Sequence, residues 1–184
     1  MRANRTDIHG NVLEIGDSSY TDRFGHHVKQ REIVDIDRTN RRATIVADLA
    51  ACEIIPSNQF DCFVLVQTLQ LIYDVKAAIW HSHRVLRPGG VLLVTVPCVS
   101  RLVPDLPDYW RFTAASCNRL FGEVFGSGRV SVHACGNVLV DVASLMGMAR
   151  EELSPRELDK HDEQFPLIIA IRAIKEEAVE ADRS

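Results

Sequence analysis

Two apolar runs, Phe60-Asp-Cys-Phe-Val-Leu-Val-Gln67 and Val91-Leu-Leu-Val-Thr-Val96, decide the fold. Strands that are apolar on both faces are typical of a parallel sheet covered by helices on both sides. Between the runs, apolar residues recur at helical spacing from Asp74 to Leu86. Asp74 is placed to cap that helix and Pro88-Gly-Gly90 to end it. The stretch therefore predicts a strand, a helix and a second strand at the centre of a sheet.

The same alternation extends outward in both directions along the chain. Only residues 17–27 separate the first two predicted strands, so the first crossover helix must be one or two turns long. Alternating strands and helices predict an α/β fold with a doubly wound, mostly parallel sheet and a ligand cleft at the carboxyl ends of its strands. The remaining strands are predicted at Asn11–Gly16, Arg31–Asp37, Ala43–Asp48, Val130–Ala134 and Pro166–Lys175, and the remaining helices at Thr113–Phe125 and Val138–Leu153.

The composition predicts one soluble domain. The 184 residues suit a single domain over 1–184, with a core from about 11 to 175 and a polar tail over 176–184. A net charge of -4 argues against nucleic-acid binding, and no apolar run approaches the ~20 residues that span a bilayer. Five cysteines without a CxxC pair fit a reducing, cytoplasmic setting. No metal site is expected, because His81 and His83 point in different directions on a helix and are expected to be solvated.

Polar residues stand where the predicted strands end. Asp37 and Asp48 follow the second and third strands, and each has an alternative interpretation as an ordinary turn residue. Glu14 lies inside the apolar run of the first strand, just before Gly16. Because an unpartnered buried carboxylate costs several kcal/mol, Glu14 indicates a polar site or an edge position.

These residues resemble a known family. Val12-Leu-Glu-Ile-Gly16, together with the stretch from Phe60 through Arg87-Pro-Gly-Gly90, is similar to the class I S-adenosylmethionine-dependent methyltransferases. The resemblance covers about 11–175 and implies a Rossmann-like, seven-stranded sheet whose last strand is antiparallel. It also implies S-adenosylmethionine as the cofactor.

The resemblance carries family roles onto individual residues. Gly16 would lie under the cofactor and Glu14 near its amino group. Asp37 would accept hydrogen bonds from both ribose hydroxyls, for which a carboxylate offers two oxygens. Asp48 would accept from the adenine amino group, and Gln67 would border the methyl group. The full cofactor set is Glu14, Gly16, Asp17, Asp37, Asp48, Leu49 and Gln67.

The chain departs from the family at two places. The usual loop is G-x-G-x-G, whereas Ser18 and Tyr20 stand where the second and third glycines belong. About ten residues precede Asn11, where family members generally carry one or two helices that help to close the cofactor pocket. The segment 16–25, together with Asp108-Tyr-Trp-Arg-Phe-Thr113, is similar to a bacterial subgroup found beside or fused to sugar transferases, in which a modified loop is normal.

Residues after the fifth strand are candidates for the acceptor site. Tyr109, Trp110 and Arg111 offer aromatic faces and a cation at the cleft end of the sheet. The alternative is that Trp110 and Phe112 fill the core beneath a loop. His133 is a candidate general base near the acceptor. The alternative is that His133 has no functional role, since nothing else in the sequence marks it.

The leading hypothesis is a methyltransferase acting on an oxygen or nitrogen of a small molecule, such as a sugar or glycoconjugate in bacterial polysaccharide biosynthesis. No Asn/Asp-Pro-Pro-Tyr/Phe signature follows Gln67, which argues against a nucleobase acceptor. A homodimer or a glycosyltransferase is the expected protein partner. One alternative is a degenerate domain that serves as a binding or scaffolding partner. Another is a nicotinamide-dependent oxidoreductase, since Asp37 lies about twenty residues past Gly16, but its G-x-G-x-x-G fingerprint is absent.

Overall fold

A seven-stranded sheet with the strand order β3-β2-β1-β4-β5-β7-β6 forms the centre of the molecule. The computed structural model describes residues 2–102 and 105–178. The strands are β1 (Gly10–Ile15), β2 (Val28–Asp35), β3 (Ile45–Val46), β4 (Phe60–Val66), β5 (Leu86–Pro97), β6 (Val130–Cys135) and β7 (Ile168–Ile174). The helices are α1 (Ser19–Phe24), α2 (Val75–Val85), α3 (Ala114–Phe125), α4 (Val138–Met146) and α5 (Pro155–Asp159).

The strand directions confirm the predicted fold class. Strands β1 to β5 pair in parallel, whereas β7 lies antiparallel between β5 and β6. The carboxyl ends of β1, β2, β4, β5 and β6 therefore meet at one edge of the sheet. The crossover helix α1 is six residues long, as the short spacing predicted.

Helices α2 and α3 cover one face of the sheet, where the larger core lies. Phe63 on β4, Ile79 on α2 and Phe121 on α3 are all fully buried there. Asp74 caps α2 by accepting a hydrogen bond from the backbone N–H of Ala77 at 3.0 Å, which confirms the predicted start of the helix. The opposite face has a smaller core around β1 and β4.

Several element boundaries differ from the predictions. Strand β2 ends at Asp35, so Asp37 lies two residues beyond it rather than at its end. Strand β5 begins at Leu86 rather than Val91, because Leu86 already pairs with Phe60 before the register shifts. Strand β3 has two residues, fewer than predicted. The expectation that His81 is solvated was wrong, because its side chain is buried on the inner face of α2.

Helix α4 is shorter than predicted and presents an unexpected face. It ends at Met146 because Gly147 adopts a left-handed φ of 73°, which favours glycine and ends a helix. Its N-cap residue Asn137 and its residues Asp141 and Ala143 are buried. Its exposed face is apolar and consists of Val138, Leu139, Val142, Leu145 and Met146.

The expected polar tail is described as far as residue 178. Residues 176–178 are exposed and belong to no helix or strand, and the rest of the tail lies outside the described residues. In the described part of the chain, no helix is long and apolar enough to cross a membrane.

Candidate functional site

Gly16 follows β1 directly at the carboxyl edge of the sheet. Its φ of 77° is a conformation that side chains rarely adopt, and its backbone N–H donates to the carbonyl of Val34 on β2 at 3.0 Å. A Cβ atom added at Gly16 would meet no other atom within 4 Å. The backbone at the end of β1 therefore borders open space that a ligand can approach closely.

Glu14 holds the turn that follows Gly16. The side chain is 2% exposed, and its two carboxylate oxygens accept the backbone N–H groups of Tyr20 at 2.9 Å and Thr21 at 2.8 Å. Burial raises the pKa of the Glu14 carboxyl, while hydrogen bonds from Thr21 and Tyr20 oppose the rise. The buried acid of the first strand is thus partnered by the start of α1. This contact orders the loop that contains Ser18 and Tyr20.

Asp17 stabilises the same turn from outside. Its carboxylate accepts hydrogen bonds from the backbone N–H and the hydroxyl of Ser19. Those hydrogen bonds hold the pKa of Asp17 below its usual value. Arg42 lies 3.6 Å from the other carboxylate oxygen, so the Gly16 turn and the loop after β2 are in contact.

Asp35, which the sequence analysis missed, is linked to the Gly16 turn through Asn40. The amide of Asn40 donates to the Asp35 carboxylate at 2.6 Å and to the carbonyl of Gly16 at 2.7 Å. Asp37 is exposed, and its carboxylate accepts from the hydroxyl and backbone N–H of Thr39, which hold its pKa below its usual value. The sequence did contain a signal that could have identified Asp35, because it is the first acidic residue after the apolar residues of the second strand.

Asp48 and Leu49 follow β3. Asp48 is exposed and caps the short 3-10 helix Leu49–Ala51 by accepting the backbone N–H of Ala50 at 2.9 Å. The Leu49 side chain is buried in the core, so its backbone is the part that can contribute to the cleft. The backbone N–H of Ala47 donates to the carbonyl of Asp35, which joins this turn to the end of β2.

Gln67 lies at the end of β4 in a left-handed conformation with φ of 49°. Its backbone N–H donates to the carbonyl of Thr95 on β5 at 2.8 Å, and its own carbonyl accepts from the side-chain amide of Gln70 at 2.8 Å. Gln70 is 6% exposed. Its backbone carbonyl in turn accepts the N–H groups of Tyr109 and Trp110, so these contacts connect the end of β4 to the segment 108–112.

The segment 108–112 presents its residues in different ways. Tyr109 and Trp110 are exposed, whereas Phe112 is buried, as the alternative interpretation expected for that residue. Arg111 donates to the carboxylate of Asp108 and to the carbonyls of Ser100 and Arg101. The Arg111 guanidinium therefore uses its donors to stabilise its own loop.

His133 is exposed on β6, the last strand at this side of the sheet. It lies in one row with Ala170, Thr95 and Val66. Three strand spacings of about 4.8 Å each separate the backbones of His133 and Val66, which is roughly 14 Å. The fold therefore does not bring His133 to the ends of β1, β2 and β4.

The described residues give no sign of a metal centre. Within 2–102 and 105–178, no group of three or more His, Cys, Asp or Glu side chains is arranged to hold a metal ion.

Solved structures with the same architecture identify the fold. A structure described as a SAM dependent methyltransferase from Archaeoglobus fulgidus is similar with a TM-score of 0.62 and 13% identity, over 94% of this chain and 89% of that one. The fold is that of the methyltransferases. A model of the family described as a methyltransferase domain matches residues 15–94, which is under half of the chain. No curated protein matches significantly.

Two further structures share this methyltransferase fold. One is a putative methyltransferase of Haloferax volcanii in complex with the Trm112 methyltransferase activator, with a TM-score of 0.60 and 12% identity over 92% of this chain and 83% of that one. The other is phosphoethanolamine N-methyltransferase 2 of Haemonchus contortus in complex with S-adenosyl-L-methionine, with a TM-score of 0.59 and 16% identity over 96% and 51%. The residues that the family model matches include Gly16, Asp35 and Gln67 but end before the segment 108–112.

Proposed function

We propose that this chain is an S-adenosylmethionine-dependent methyltransferase that transfers a methyl group to an oxygen or nitrogen of a small molecule. The observation that carries the proposal is the convergence of the Gly16 turn, Asp35 and Gln67 at one edge of a methyltransferase fold. The sequence resemblance adds a sugar or glycoconjugate as the acceptor, within bacterial polysaccharide biosynthesis in the cytoplasm.

The residues at this edge fit the cofactor. Gly16 leaves open space beside the backbone where a side chain would intrude. Asp35 or Asp37 would accept from the two ribose hydroxyls, and Asp48 with the Leu49 backbone would bind the adenine. Glu14 would act through the turn that it orders, since both of its oxygens already accept N–H groups.

S-adenosylmethionine supplies a methyl group that is activated by the positive charge of its sulfonium. The chain then needs to hold the acceptor in line with that group and to exclude water, because positioning supplies most of the catalysis in such a displacement. Gln67 would border the methyl group, and Tyr109 and Trp110 would face the acceptor. Arg111 would keep their loop in place. We leave His133 out of this proposal because of its distance from the end of β4.

Calorimetric titration with S-adenosylmethionine and S-adenosylhomocysteine tests the proposal. Gly16→Ala is the decisive variant and Gly147→Ala its control, because both glycines have a left-handed φ, 77° and 73°, and both face open space. Each substitution costs folding about 1 kcal/mol. We expect Gly16→Ala to lower the affinity for the cofactor by tenfold or more and Gly147→Ala to leave it unchanged. Absence of binding to the unmodified chain at millimolar cofactor contradicts the proposal and favours the degenerate binding domain.

A second copy of the chain is our proposed protein partner. The exposed face of α4 carries five apolar side chains and no charge, so two copies related by a two-fold axis can pair these faces without needing opposite charges. Sedimentation velocity of the unmodified chain and of Val142→Ser/Leu145→Ser tests this pairing. We expect a concentration-dependent dimer that the double variant loses, and a monomer at all concentrations contradicts the pairing.

A further inference from the structure

A groove of about 560 Å³ runs between the first turns of α2 and α3. Val75, Phe112 and Leu120 give it an apolar floor. Its volume lies within the range of small-molecule sites, which are typically apolar with a few polar groups at the rim. The complete lining is Tyr73, Asp74, Val75, Lys76, Trp110, Arg111, Phe112, Ser116 and Leu120.

Two exposed aromatic rings form the wall of the groove. Tyr73 is 72% exposed and Trp110 is 38% exposed, and their ring centroids lie 6.0 Å apart at an angle of 31°. The indole N–H of Trp110 donates to the carbonyl of Ile72 at 3.0 Å, which fixes the orientation of the ring. The Tyr109 and Tyr73 rings contact each other edge to face, with their centroids 5.4 Å apart. The groove therefore presents orientated aromatic faces to solvent.

The charged groups at the rim already have partners. The Lys76 ammonium lies 3.3 Å from the Glu123 carboxylate, and Arg111 is paired with Asp108. The Asp74 carboxylate accepts the backbone N–H that caps α2. Because the rim carries charges of both signs and each has a partner, it does not favour a ligand of either charge strongly. An uncharged ligand with an apolar face and hydroxyl groups needs to displace none of these partners, and it can still hydrogen-bond to the exposed rim.

The groove is connected to the proposed cofactor cleft. Gln70 donates its side-chain amide to the carbonyl of Gln67 and accepts the N–H of Trp110 on its own backbone carbonyl at 3.3 Å. One buried residue thus fixes the end of β4 and the wall of the groove relative to each other. The wall of the groove is therefore fixed to the carboxyl end of β4, where Gln67 lies.

We propose that this groove binds an uncharged pyranose ring, with the C–H face of the sugar packed on Trp110 and Tyr73. The inference deepens the proposed function and rests on it, since the bound sugar would be the methyl acceptor. The aromatic faces bind the apolar face of the ring. The hydroxyls stay at the polar rim formed by Asp74, Lys76 and Ser116.

Tryptophan fluorescence tests the groove directly. The chain has two tryptophans, so in a Trp80→Phe background Trp110 alone emits. Methyl α-D-glucopyranoside, methyl α-D-mannopyranoside and methyl α-L-rhamnopyranoside are the probes. Glycerol serves as a control with hydroxyls but no ring, and phenol as a control with an aromatic ring. We expect at least one pyranoside to change the Trp110 emission saturably and glycerol not to do so.

Tyr73→Ala and Phe165→Ala form the matched pair of variants. Both remove an exposed aromatic ring, but Phe165 does not line the groove. We expect Tyr73→Ala to weaken pyranoside binding about tenfold and Phe165→Ala to leave it unchanged. Saturation by phenol and by none of the pyranosides overturns the inference, as does an equal effect of the two variants.

Cofactor calorimetry on the same samples separates the two proposals. If S-adenosylmethionine binds and no pyranoside does, the groove inference fails and the proposed methyl transfer stands. If a pyranoside binds through Tyr73 and the cofactor does not bind, the groove is a sugar site and the proposed methyl transfer fails.

Discussion

Helices α2 and α4 both carry an apolar face, but only α2 packs that face against the sheet. Val75, Ala78 and Ile79 of α2 are buried against the larger core. In α4 five larger apolar side chains are exposed, while Asp141, Ala143 and the N-cap residue Asn137 are buried. Asn137 caps α4 through the N–H of Val140 and donates its amide to the carbonyls of Glu157 and Lys160.

The difference separates the connection between β6 and β7 from the helices that cover the larger core. Helices α2 and α3 are held by hydrophobic burial, and Asp74 caps the first of them. The connection between β6 and β7 is held by polar contacts and leaves apolar surface exposed. Apolar residues at helical spacing thus form a buried face in α2 and an exposed face in α4, because only the face of α2 packs against the sheet.

The largest expected effect is on stability, from matched truncations in the two helices. Ile79→Ala removes a fully buried side chain from the core and should lower the free energy of unfolding by about 2–5 kcal/mol. At protein concentrations at which the chain is monomeric, Val142→Ala removes an exposed side chain and should change the free energy of unfolding by less than about 0.5 kcal/mol. Urea unfolding followed by circular dichroism measures both. Similar losses in the two variants would show that α4 buries its apolar face in solution.

Cofactor affinity should distinguish Asp35 from Asp37 at the end of β2. Asp35→Ala should weaken the binding of S-adenosylmethionine by about 1.5–3 kcal/mol, because it removes charged hydrogen-bond acceptors beside the Gly16 turn. Asp37→Ala should change the affinity by less than about 0.5 kcal/mol, as expected for an exposed turn residue. Calorimetry on both variants, with thermal unfolding to check that each is folded, provides the comparison. A larger loss for Asp37→Ala would restore the assignment made from the sequence.

The sequence predicted the sheet because its central strands carry a strong local signal. The two apolar runs around Asp74–Leu86 required no knowledge of distant contacts, and neither did the caps at Asp74 and Thr113. The end of β2 was misplaced by two residues because Ile36 continues the apolar pattern, although its side chain is exposed. Apolar periodicity cannot show where the neighbouring strand stops pairing.

Trp110 and Arg111 of the groove were predicted as acceptor-site candidates, but the groove itself was harder to predict because its residues come from distant parts of the chain. Tyr73 follows the turn after β4, whereas Trp110 follows β5, and the contact with Gln70 that aligns them is a tertiary one. The exposed face of α4 could not be predicted from the sequence either. Helical periodicity predicted the helix but not which of its sides would be buried. As a result, the sequence did not show that the Asp141 carboxyl lies on the buried side of α4.

The smallest expected effect is a change in how stability depends on pH. Burial raises the pKa of the Asp141 carboxyl, and its Oδ1 atom has no hydrogen-bond partner in the described structure. The folded chain therefore holds this proton more tightly than the unfolded chain does. The contribution of Asp141 to stability is largest below the ordinary pKa of aspartate and is lost as the pH rises through the raised pKa.

Asp141→Asn should remove that dependence, because the amide stays neutral at every pH. We expect the variant to gain stability relative to the unmodified chain at neutral pH and to lose the gain on acidification, as measured by urea unfolding at a series of pH values. Asp159→Asn, an exposed change in the same connection, should shift stability little at any pH. A stability difference that stays constant with pH would mean that the Asp141 carboxylate is solvated in solution. The polar side of α4 would then be open to water, and the contrast with α2 would extend to both faces of the helix.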